Sequence, residues 1–374
     1  MAHVFTVDQK PLLAILSSMQ PICTKRSTIA TTSYILFNIS HKELVLKSTD
    51  LEISLQCSYL LEKTNLSEPR SFLVLGKRIF DLVKELDGEI EFTLKKEQLL
   101  VKSGDVHLSL NIKDAQEFPP FPERIENLMH LDAPFLLDMF NKVGFLIPQN
   151  NANPALNGLL LELTKDQMKM TTTDGHCLAQ VRTSRYTLDE DKTWLLPRRA
   201  IFEVKKILES AHDNAVFLGV CGNQLVLSGE TFNFFTKLLG DQFPHYAGIL
   251  EKEGFSGALV DRSHLVKTLR RSACLLSGQF IATQFNFSSD ILNVSMQNQE
   301  VGKLEEKVPL TDFSGAYVDI RFYAPYVLNG LHAFSDDMLT FYLKTPDRPI
   351  IFESTYNESS MTYLVMPVSP TASA

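Results

Sequence analysis

The sequence predicts an α+β protein built from three tandem copies of one unit of about 120 residues. Three observations predict this fold. Sequence motifs recur at spacings of 122 to 125 residues, each copy contains two helical and several strand-like segments, and the strand-like segments alternate apolar with polar residues. Such alternation is typical of antiparallel sheets with one buried face. We expect the units at residues 1–125, 126–253 and 254–374.

The clearest repeated motif is a strand, a Ser-Gly turn, an alternating strand and an acidic loop that closes with Phe-Pro. It begins at Leu99 and again at Leu225, and the phenylalanines of the two Phe-Pro pairs, Phe118 and Phe243, are 125 residues apart. The third copy is weaker. The repeat is therefore strongest between the first two units.

Helical segments repeat in the same way. Phe80 and Phe202 occupy equivalent places 122 residues apart, and Tyr326 falls opposite Phe202 at a spacing of 124. Apolar residues recur every three to four positions in each segment, which predicts one face packed on a sheet. We expect six helices, at residues 8–20, 76–86, 132–146, 197–209, 261–275 and 324–334.

Each unit opens with an aspartate placed before the first helix. Asp8, Asp132 and Asp261 precede the apolar periodicity of their segments. A short carboxylate at this position can accept hydrogen bonds from the free amides of the first turn. All three are predicted to be N-caps.

Composition is that of a soluble globular protein, with 44% hydrophobic and 21% charged residues among 374. No apolar run reaches the roughly 20 residues of a membrane helix, and no signal-peptide pattern is found, so we expect a cytoplasmic protein. The five cysteines are scattered and never spaced as CxxC. We therefore expect buried thiols, no disulfide framework, no metal and no cofactor.

Positive charge is concentrated in the predicted helices. These six segments hold 13 Lys and Arg against 8 Asp and Glu, whereas the rest of the chain holds 23 against 36. One helix flank alone carries Arg198, Arg199, Lys205 and Lys206. Solvated helix faces are the ordinary explanation for one such cluster, but their repetition indicates a shared cationic surface that contacts a polyanion without reading sequence.

The segment TTTDGHCLAQV, from Thr171, resembles an active site because it contains Thr173, Asp174 and His176. Catalysis would require these side chains to lie in hydrogen-bond reach of one another. The equivalent stretch of the first unit, STDL, has no histidine, and the sequence carries no Walker A, HExxH or GxSxG motif. We therefore predict no enzyme, and expect Asp174 to bond backbone at a turn.

Three tandem units, TTTDGHCLAQV, QFPHY, TYLVMPV and the LNG at residues 156–158 together resemble the bacterial sliding clamp family, the beta subunits of DNA polymerase III. The resemblance implies three DNA-clamp domains and a head-to-tail homodimer that closes into a six-domain ring around duplex DNA. It also implies a non-catalytic processivity factor. Its implied partners are double-stranded DNA, a second copy of the chain, the replicative polymerase, the clamp loader, repair polymerases and mismatch-repair proteins, with no membrane.

The resemblance also implies particular site residues. A hydrophobic cleft for partner peptides maps to Leu156, Thr173, Gly175, His176, Leu178, Pro244, Ile249, Tyr326, Leu364, Val365, Met366, Pro367 and Val368. DNA contacts, taken from the family and from the basic helices, map to Arg26, Lys77, Gln149, Asn150, Arg198, Arg199, Lys205, Lys206, Lys267, Arg270 and Arg271. The dimer contact maps to Arg78, Leu108, Leu110, Leu275 and Leu276, with ordinary core leucines as the alternative.

Two positions depart from the family pattern at the cleft. Cys177 stands where family members often carry arginine, Gly248 stands where some members carry one, and the chain ends SPTASA, a few residues beyond the usual Met-Pro ending. We therefore expect an apolar cleft with less positive charge at its rim. A three-domain scaffold that never meets DNA remains the alternative function, and the segregated positive charge argues against it.

Overall fold

The computed structural model describes residues 3–23, 29–66, 68–211, 214–276, 281–356 and 358–368. The chain divides into two compact units. The first contains Met1–Leu137 and Arg199–Leu238, and the second contains Asp138–Arg198 and Leu239–Ala374.

The elements follow the expected order in each repeat. The first repeat contains β1 (His3–Asp8), α1 (Gln9–Met19), β2 (Tyr34–Ile39), β3 (Glu43–Thr49), β4 (Ile53–Leu60), β5 (Arg70–Leu75), α2 (Gly76–Lys84), β6 (Glu89–Leu94), β7 (Gln98–Ser103) and β8 (Val106–Asp114). The second contains β9 (Glu126–Asp132), α3 (Ala133–Gly144), β10 (Gly158–Leu163), β11 (Met168–Thr173), β12 (Cys177–Thr183), β13 (Lys192–Pro197), α4 (Arg198–Ala211), β14 (Ala215–Cys221), β15 (Gln224–Ser228) and β16 (Phe232–Lys237). The third contains β17 (Ser256–Asp261), α5 (Arg262–Ala273), β18 (Thr283–Phe287), β19 (Ile291–Asn298), β20 (Gly302–Thr311), β21 (Val318–Phe322), α6 (Ala324–Leu331), β22 (Met338–Leu343), β23 (Ile350–Tyr356) and β24 (Ser359–Val365).

Each unit is organised on one antiparallel sheet, which confirms the α+β prediction. In the described part of the first unit the strand order is β1-β6-β7-β8-β5-β2-β3-β4-β16-β15-β14-β9, and in the second it is β13-β10-β11-β12-β24-β23-β22-β17-β20-β19-β18-β21. The pairing of β4 with β16 joins the first repeat to the second, and that of β12 with β24 joins the second to the third. Repeats therefore share sheets through edge pairing.

The helices lie where the periodicity predicts, with each end within three residues of the expected bound. In the first unit α1 packs beside α2, and Leu12, Leu16 and Ile79 are fully buried. In the second unit α5 packs beside α6, and Leu269 and Val327 are fully buried. The apolar stripe of each helix thus forms the core with its sheet.

Two of the three predicted N-caps are confirmed, and one is wrong. Asp132 accepts a hydrogen bond from the Phe135 N–H at 2.8 Å, and Asp261 accepts one from the His264 N–H at 2.6 Å. Asp8 makes no side-chain cap bond. The third residue of α1 is Pro11, which has no N–H to donate at the position where the other two aspartates find their donor.

Candidate functional site

The segment that most resembles an active site forms the turn between β11 and β12. Asp174 Oδ1 accepts hydrogen bonds from the N–H groups of His176 and Cys177 at 2.8 and 2.7 Å. The Thr173 hydroxyl donates to the Cys177 carbonyl at 2.6 Å, and its oxygen lies 3.1 Å from the Gly175 N–H donor. Gly175 has a φ of +95°, which residues with a side chain rarely adopt. Both polar side chains therefore stabilise a tight turn, which confirms the expectation for Asp174.

The exposed ring of His176 is part of a platform formed by the His176 and Tyr326 rings and the backbone of residues 366–368. It stacks on Tyr326 with ring centroids 5.4 Å apart and an interplanar angle of 17°. The His176 carbonyl accepts from the Met366 N–H at 2.9 Å, and the Arg321 carbonyl accepts from the Val368 N–H at 2.8 Å. These bonds hold residues 366–368 beside the turn and beside the start of α6.

Tyr363 connects β24 to α6 beneath this platform. Its hydroxyl donates to the Tyr326 carbonyl at 2.7 Å. Burial, reinforced by the nearby Cys177 and Asp174, raises the pKa of Tyr363 well above its ordinary value, so the group stays neutral and can donate. Burial likewise raises the pKa of the Cys177 thiol to about 12. Cys177 is thus a buried neutral group, and it brings no charge to the cleft.

An apolar cluster lies beside the turn, on the face of the sheet that points away from Tyr363 and α6, which we call the outer face. Leu178, Leu364 and Ile351 are directly opposite one another on three adjacent strands, and each is at least 96% buried. Partly buried apolar residues pack against this trio: Tyr246, Ile249, Leu250, Phe255, Tyr342 and Met366. A floor of buried leucine and isoleucine rimmed by half-exposed aromatic and methionine side chains can accept apolar side chains of an extended peptide.

Most of the expected cleft residues lie around this cluster, but they differ in their accessibility. Pro244 and Gly175 are exposed, and Pro367 and Val368 are half-buried. Leu156 is buried in the short 3-10 turn Pro154–Asn157 and is outside the cluster of Leu178.

Val365 differs from the expectation. It pairs with Cys177, it follows Leu364 directly, and its side chain is fully buried. Because successive strand residues project from opposite faces, Val365 faces away from Leu364 and does not line the same floor.

Five residues of the floor and its rim are not among those expected from the sequence: Tyr246, Leu250, Phe255, Tyr342 and Ile351. Ile351 and Tyr342 reach the floor through strand pairing across β22, β23 and β24. Tyr246 could have been predicted from the QFPHY motif, which it closes three residues after Phe243. The rings of Phe243 and Tyr246 meet edge-on with centroids 6.1 Å apart.

The cationic helix residues are less free than the sequence suggests. Arg199 is ion-paired with the buried carboxylate of Asp50 and donates to the Pro21 carbonyl at 2.9 Å. Arg271 forms an ion pair with Glu306, with its Nε 2.8 Å from Oε2. The charges of these two arginines are therefore already paired with carboxylates of the chain.

Other members of the basic set also have internal partners. Arg198 donates from Nε to the Ile147 carbonyl at 3.0 Å, and Lys206 is 3.1 Å from Glu203. Lys205 lies 5.6 Å from the centre of the Phe202 ring.

Three basic side chains of the set are exposed and form no ion pair with a carboxylate among the described residues: Lys77, Lys267 and Arg270. Gln149 and Asn150 are exposed as well. Arg26 lies outside the described residues. The accessible positive charge of the helices is thus smaller than their composition indicates.

Strand β8 in the first unit and β20 in the second each have a half-free edge, because along most of their length they pair with only one of the described strands. In the first unit, residues 106–111 of β8 pair with β7 and with no other described strand. Leu108 on this strand is 43% exposed, Leu110 is half-buried, and Arg78 on α2 is exposed. Leu108 is therefore not an ordinary core leucine.

In the second unit, residues 302–309 of β20 pair with β19 and with no other described strand. Leu275 and Leu276 follow α5 and are half-buried, and the Leu275 carbonyl accepts from Asn298 Nδ2 at 2.7 Å. An unpaired edge with neighbouring apolar side chains is a template for strand addition.

No described helix has the length and apolar character needed to cross a membrane. Within the same ranges, no three His, Cys, Asp or Glu side chains converge as metal ligands would.

The sequence matches three family models along its length: the N-terminal domain of the DNA polymerase III beta subunit at residues 3–122, the central domain at 130–245 and the C-terminal domain at 249–369. The "Beta sliding clamp" of Pseudomonas putida is 26% identical over 368 residues, which cover 97% of this chain and 99% of that protein. The protein of the same name from Staphylococcus aureus is 22% identical over 375 residues, 97% of this chain and 98% of that one.

Solved structures share the fold. The sliding clamp of Pseudomonas aeruginosa bound to griselimycin has a TM-score of 0.89 and 24% identity, with 99% of this chain and 100% of that chain covered. The DNA polymerase sliding clamp of Bacillus subtilis has a TM-score of 0.90 and 20% identity, with the same coverage.

Proposed function

Because this chain belongs to the DNA polymerase III beta subunit family, we propose that it is the sliding clamp that holds a replicative polymerase on its template. The family models together span nearly the whole chain, and the three repeats coincide with clamp domains. This coincidence is the observation that carries the proposal. The protein acts by binding and topology, without catalysing a reaction.

The proposed ring is a head-to-tail homodimer. The half-free edge of β8 in one protomer adds to the half-free edge of β20 in the other, and Leu108 packs with Leu275 and Leu276 at the joint. Antiparallel strand addition satisfies the free backbone groups of both edges, and the leucines supply apolar burial. Replacing Leu275 and Leu276 with lysine should leave charge unpaired in this joint and yield monomers in sedimentation. An unchanged dimer would contradict the assignment.

The proposed partner site is the apolar cluster of Leu178, Leu364 and Ile351 with its rim of His176, Tyr326 and residues 366–368. It takes an extended peptide with leucine and phenylalanine anchors. Such a peptide is carried by the polymerase catalytic subunit, the clamp loader, repair polymerases or mismatch-repair proteins. The half-buried Met366 can adjust its unbranched side chain to several partners.

Retention on circular DNA tests the clamp function. The protein is loaded onto a nicked circular duplex, separated from free protein by sizing, and the circle is then cut with a restriction enzyme. A topologically linked ring stays on the circle and leaves when the circle is linearised. Equal retention on both forms would indicate ordinary binding, and no retention on either would favour the scaffold without DNA.

Substitution at the rim tests the partner site. His176→Ala removes the ring stacked on Tyr326, so affinity for a peptide with leucine and phenylalanine anchors should fall by about tenfold, as expected for loss of an aromatic contact. His41→Ala is the matched control, because His41 is an exposed histidine in the turn between β2 and β3 and belongs to the other compact unit. Equal affinity for wild type and His176→Ala would place the cleft elsewhere.

A further inference from the structure

A groove of about 710 Å³ lies next to the apolar cluster, between the outer face of the β13-β10-β11-β12 sheet and the loop 239–250. Phe243 holds the loop on the sheet by packing with Ala155, Leu160 and Leu195. Tyr246 belongs to the linings of both the groove and the apolar cluster. The groove is therefore continuous with the proposed partner site.

Gly248 lines this groove, and a Cβ built on it would have no atom within 4 Å. The sequence thus leaves open a space where a side chain would otherwise project. The absence of a side chain at Gly248 therefore widens the groove beside it.

One row of side chains crosses the sheet wall of the groove. Thr193, Glu162, Lys169 and Arg182 are directly opposite one another on β13, β10, β11 and β12, and Ser360 on β24 continues the row. Side chains directly opposite in an antiparallel pair project from the same face, with Cβ atoms about 5 Å apart. Lys169 and Arg182 therefore stand side by side with like charge.

The row has more positive charge than its own carboxylate can neutralise. Both Glu162 oxygens are engaged, one by Lys169 at 3.3 Å and the other by the Tyr246 hydroxyl. Arg182 uses Nε to bond the Ser360 hydroxyl at 2.7 Å, and among the described residues its terminal nitrogens have no carboxylate partner. Glu162 offsets only one of the two cations, so the row keeps a net positive charge that an incoming anion can neutralise.

Positive charge is confined to the sheet wall. The loop wall carries Asp241 and His245, both exposed, so the groove as a whole is not cationic. An acidic side chain would therefore be drawn to the Lys169 and Arg182 pair and repelled by Asp241 on the loop wall.

We propose that this groove binds an acidic residue flanking the apolar anchors of the partner peptide, with its carboxylate bridged between Lys169 and Arg182. The proposal rests on the proposed partner site and deepens it. Lys169 and Arg182 thereby supply positive charge beside a cleft rim to which the neutral Cys177 and Gly248 bring none. Partners of this clamp are selected for an acidic flank as well as for their apolar anchors.

The test uses fluorescein-labelled peptides that share one leucine and phenylalanine anchor core. Each carries a single glutamate at one of six positions on either side, and the matched peptide carries glutamine there. Binding to the intact protein is measured by fluorescence anisotropy. At the productive position glutamate should bind about five- to twentyfold more tightly than glutamine, as expected for a charged hydrogen bond at a half-exposed site.

Variants locate the preference. Arg182→Met and Lys169→Met should each reduce the glutamate preference to less than about twofold while leaving the glutamine peptide unchanged. Lys165→Met, which removes an exposed lysine outside the groove lining, should keep the full preference. Raising the salt concentration should weaken the glutamate peptide alone.

The outcomes separate this proposal from the partner site itself. Binding of both peptides without a glutamate preference at any position overturns the groove proposal and leaves the cleft intact. A preference that survives in Arg182→Met and Lys169→Met also overturns it. Failure of every peptide to bind removes the cleft and the groove together.

Discussion

The carboxylate of Asp50 determines the role of Arg199. Asp50 is buried, and its Oδ1 accepts the N–H groups of Glu52 and Ile53 at 3.0 and 2.8 Å. Its other oxygen faces the Arg199 guanidinium. A buried charge without its partner is costly, so Arg199 is needed for the stability of the fold and its charge is less available to a nucleic acid.

Arg199→Met should therefore destabilise the protein by about 2 kcal/mol. This value lies below the usual cost of breaking a buried pair because Asp50 keeps two amide bonds and Arg199 is partly exposed. The measurement is the urea midpoint of unfolding, with Arg270→Met as the control that should not change it. If both variants unfold alike, the ion pair contributes nothing.

The ion pair of Glu306 with Arg271 gives stability a defined dependence on pH. The hydrogen bond from Arg271 holds the pKa of the Glu306 carboxyl below its ordinary value of 4.5. A carboxyl with a lowered folded-state pKa adds stability above its unfolded pKa, and that stability is lost as the pH falls through the folded value.

Glu306→Gln should consequently cost about 1 kcal/mol at pH 7, and the cost should shrink as the pH falls below about 4.5. Urea unfolding of both proteins from pH 7 to pH 3 measures the difference. Glu305→Gln is the control, because Glu305 pairs with Lys303 at an exposed site and should show little effect at any pH. A Glu306→Gln cost that stays constant to pH 3 would contradict the assignment.

At the scale of elements, the repeats are connected by two strand pairings: β4 with β16, the first joint, and β12 with β24, the second joint. The two joints share a backbone arrangement but differ in their side chains. The main-chain bond from Met366 to His176 has a counterpart in the bond from Lys237 to Glu52 at 2.9 Å. Where Leu364 faces Leu178, Phe235 faces Ser54.

At the first joint, Phe121 covers Phe235 edge-on at 5.5 Å and Lys47 lies 4.7 Å over the Phe121 ring. Phe235 is 98% buried, so that joint is closed by its own side chains. The second joint keeps half-exposed aromatic residues around its floor, and for this reason we assign the proposed peptide cleft to it.

Helix α6 packs so closely on β24 that one position must be glycine. A Cβ on Gly330 would lie 1.9 Å from Cε1 of the buried Tyr363 ring. Gly330→Ala should destabilise the protein by about 2 kcal/mol or more, because the ring has no room to move. Gly240→Ala is the control, since its added Cβ meets no atom within 4 Å.

The double variant Gly330→Ala with Tyr363→Leu tests the cause. Removing the ring should make the alanine far less costly than it is in the presence of Tyr363, which a double-mutant cycle on the urea midpoint detects. Additive losses would mean that the glycine is required for a reason other than this contact.

Helices, strands and the threefold repeat could be predicted because they follow local periodicity and spacing. The joints could not, because β4 pairs with β16 and β12 with β24 across more than 170 residues, and edge pairing leaves no periodic signal. For the same reason the sequence could not predict the ion pair of Arg199 with Asp50, 149 residues away. Charge composition identified the basic helices but could not show which cations were already neutralised.

For the whole molecule, the formal net charge of −8 means that DNA must be held by local cations against a repelling remainder. An arginine already paired with a carboxylate should bind a phosphate more weakly, because the ion pair must break or share its charge. The exposed residues without an ion pair in the described ranges, Lys267 and Arg270 on α5 and Lys77 on α2, are therefore expected to dominate the contact.

Two double variants that remove equal positive charge distinguish cations without an ion pair from cations already paired with a carboxylate. Lys267→Gln with Arg270→Gln should make the dependence of log affinity on log salt less steep for a linear duplex. The magnitude of the slope should fall by about 1 to 2 per protomer, since each phosphate contact releases counterions. Lys206→Gln with Arg271→Gln removes cations that are paired with Glu203 and Glu306, and it should reduce the magnitude of the slope by less. Equal slopes for the two variants would mean that total charge, rather than the pairing of each cation, governs the interaction with DNA.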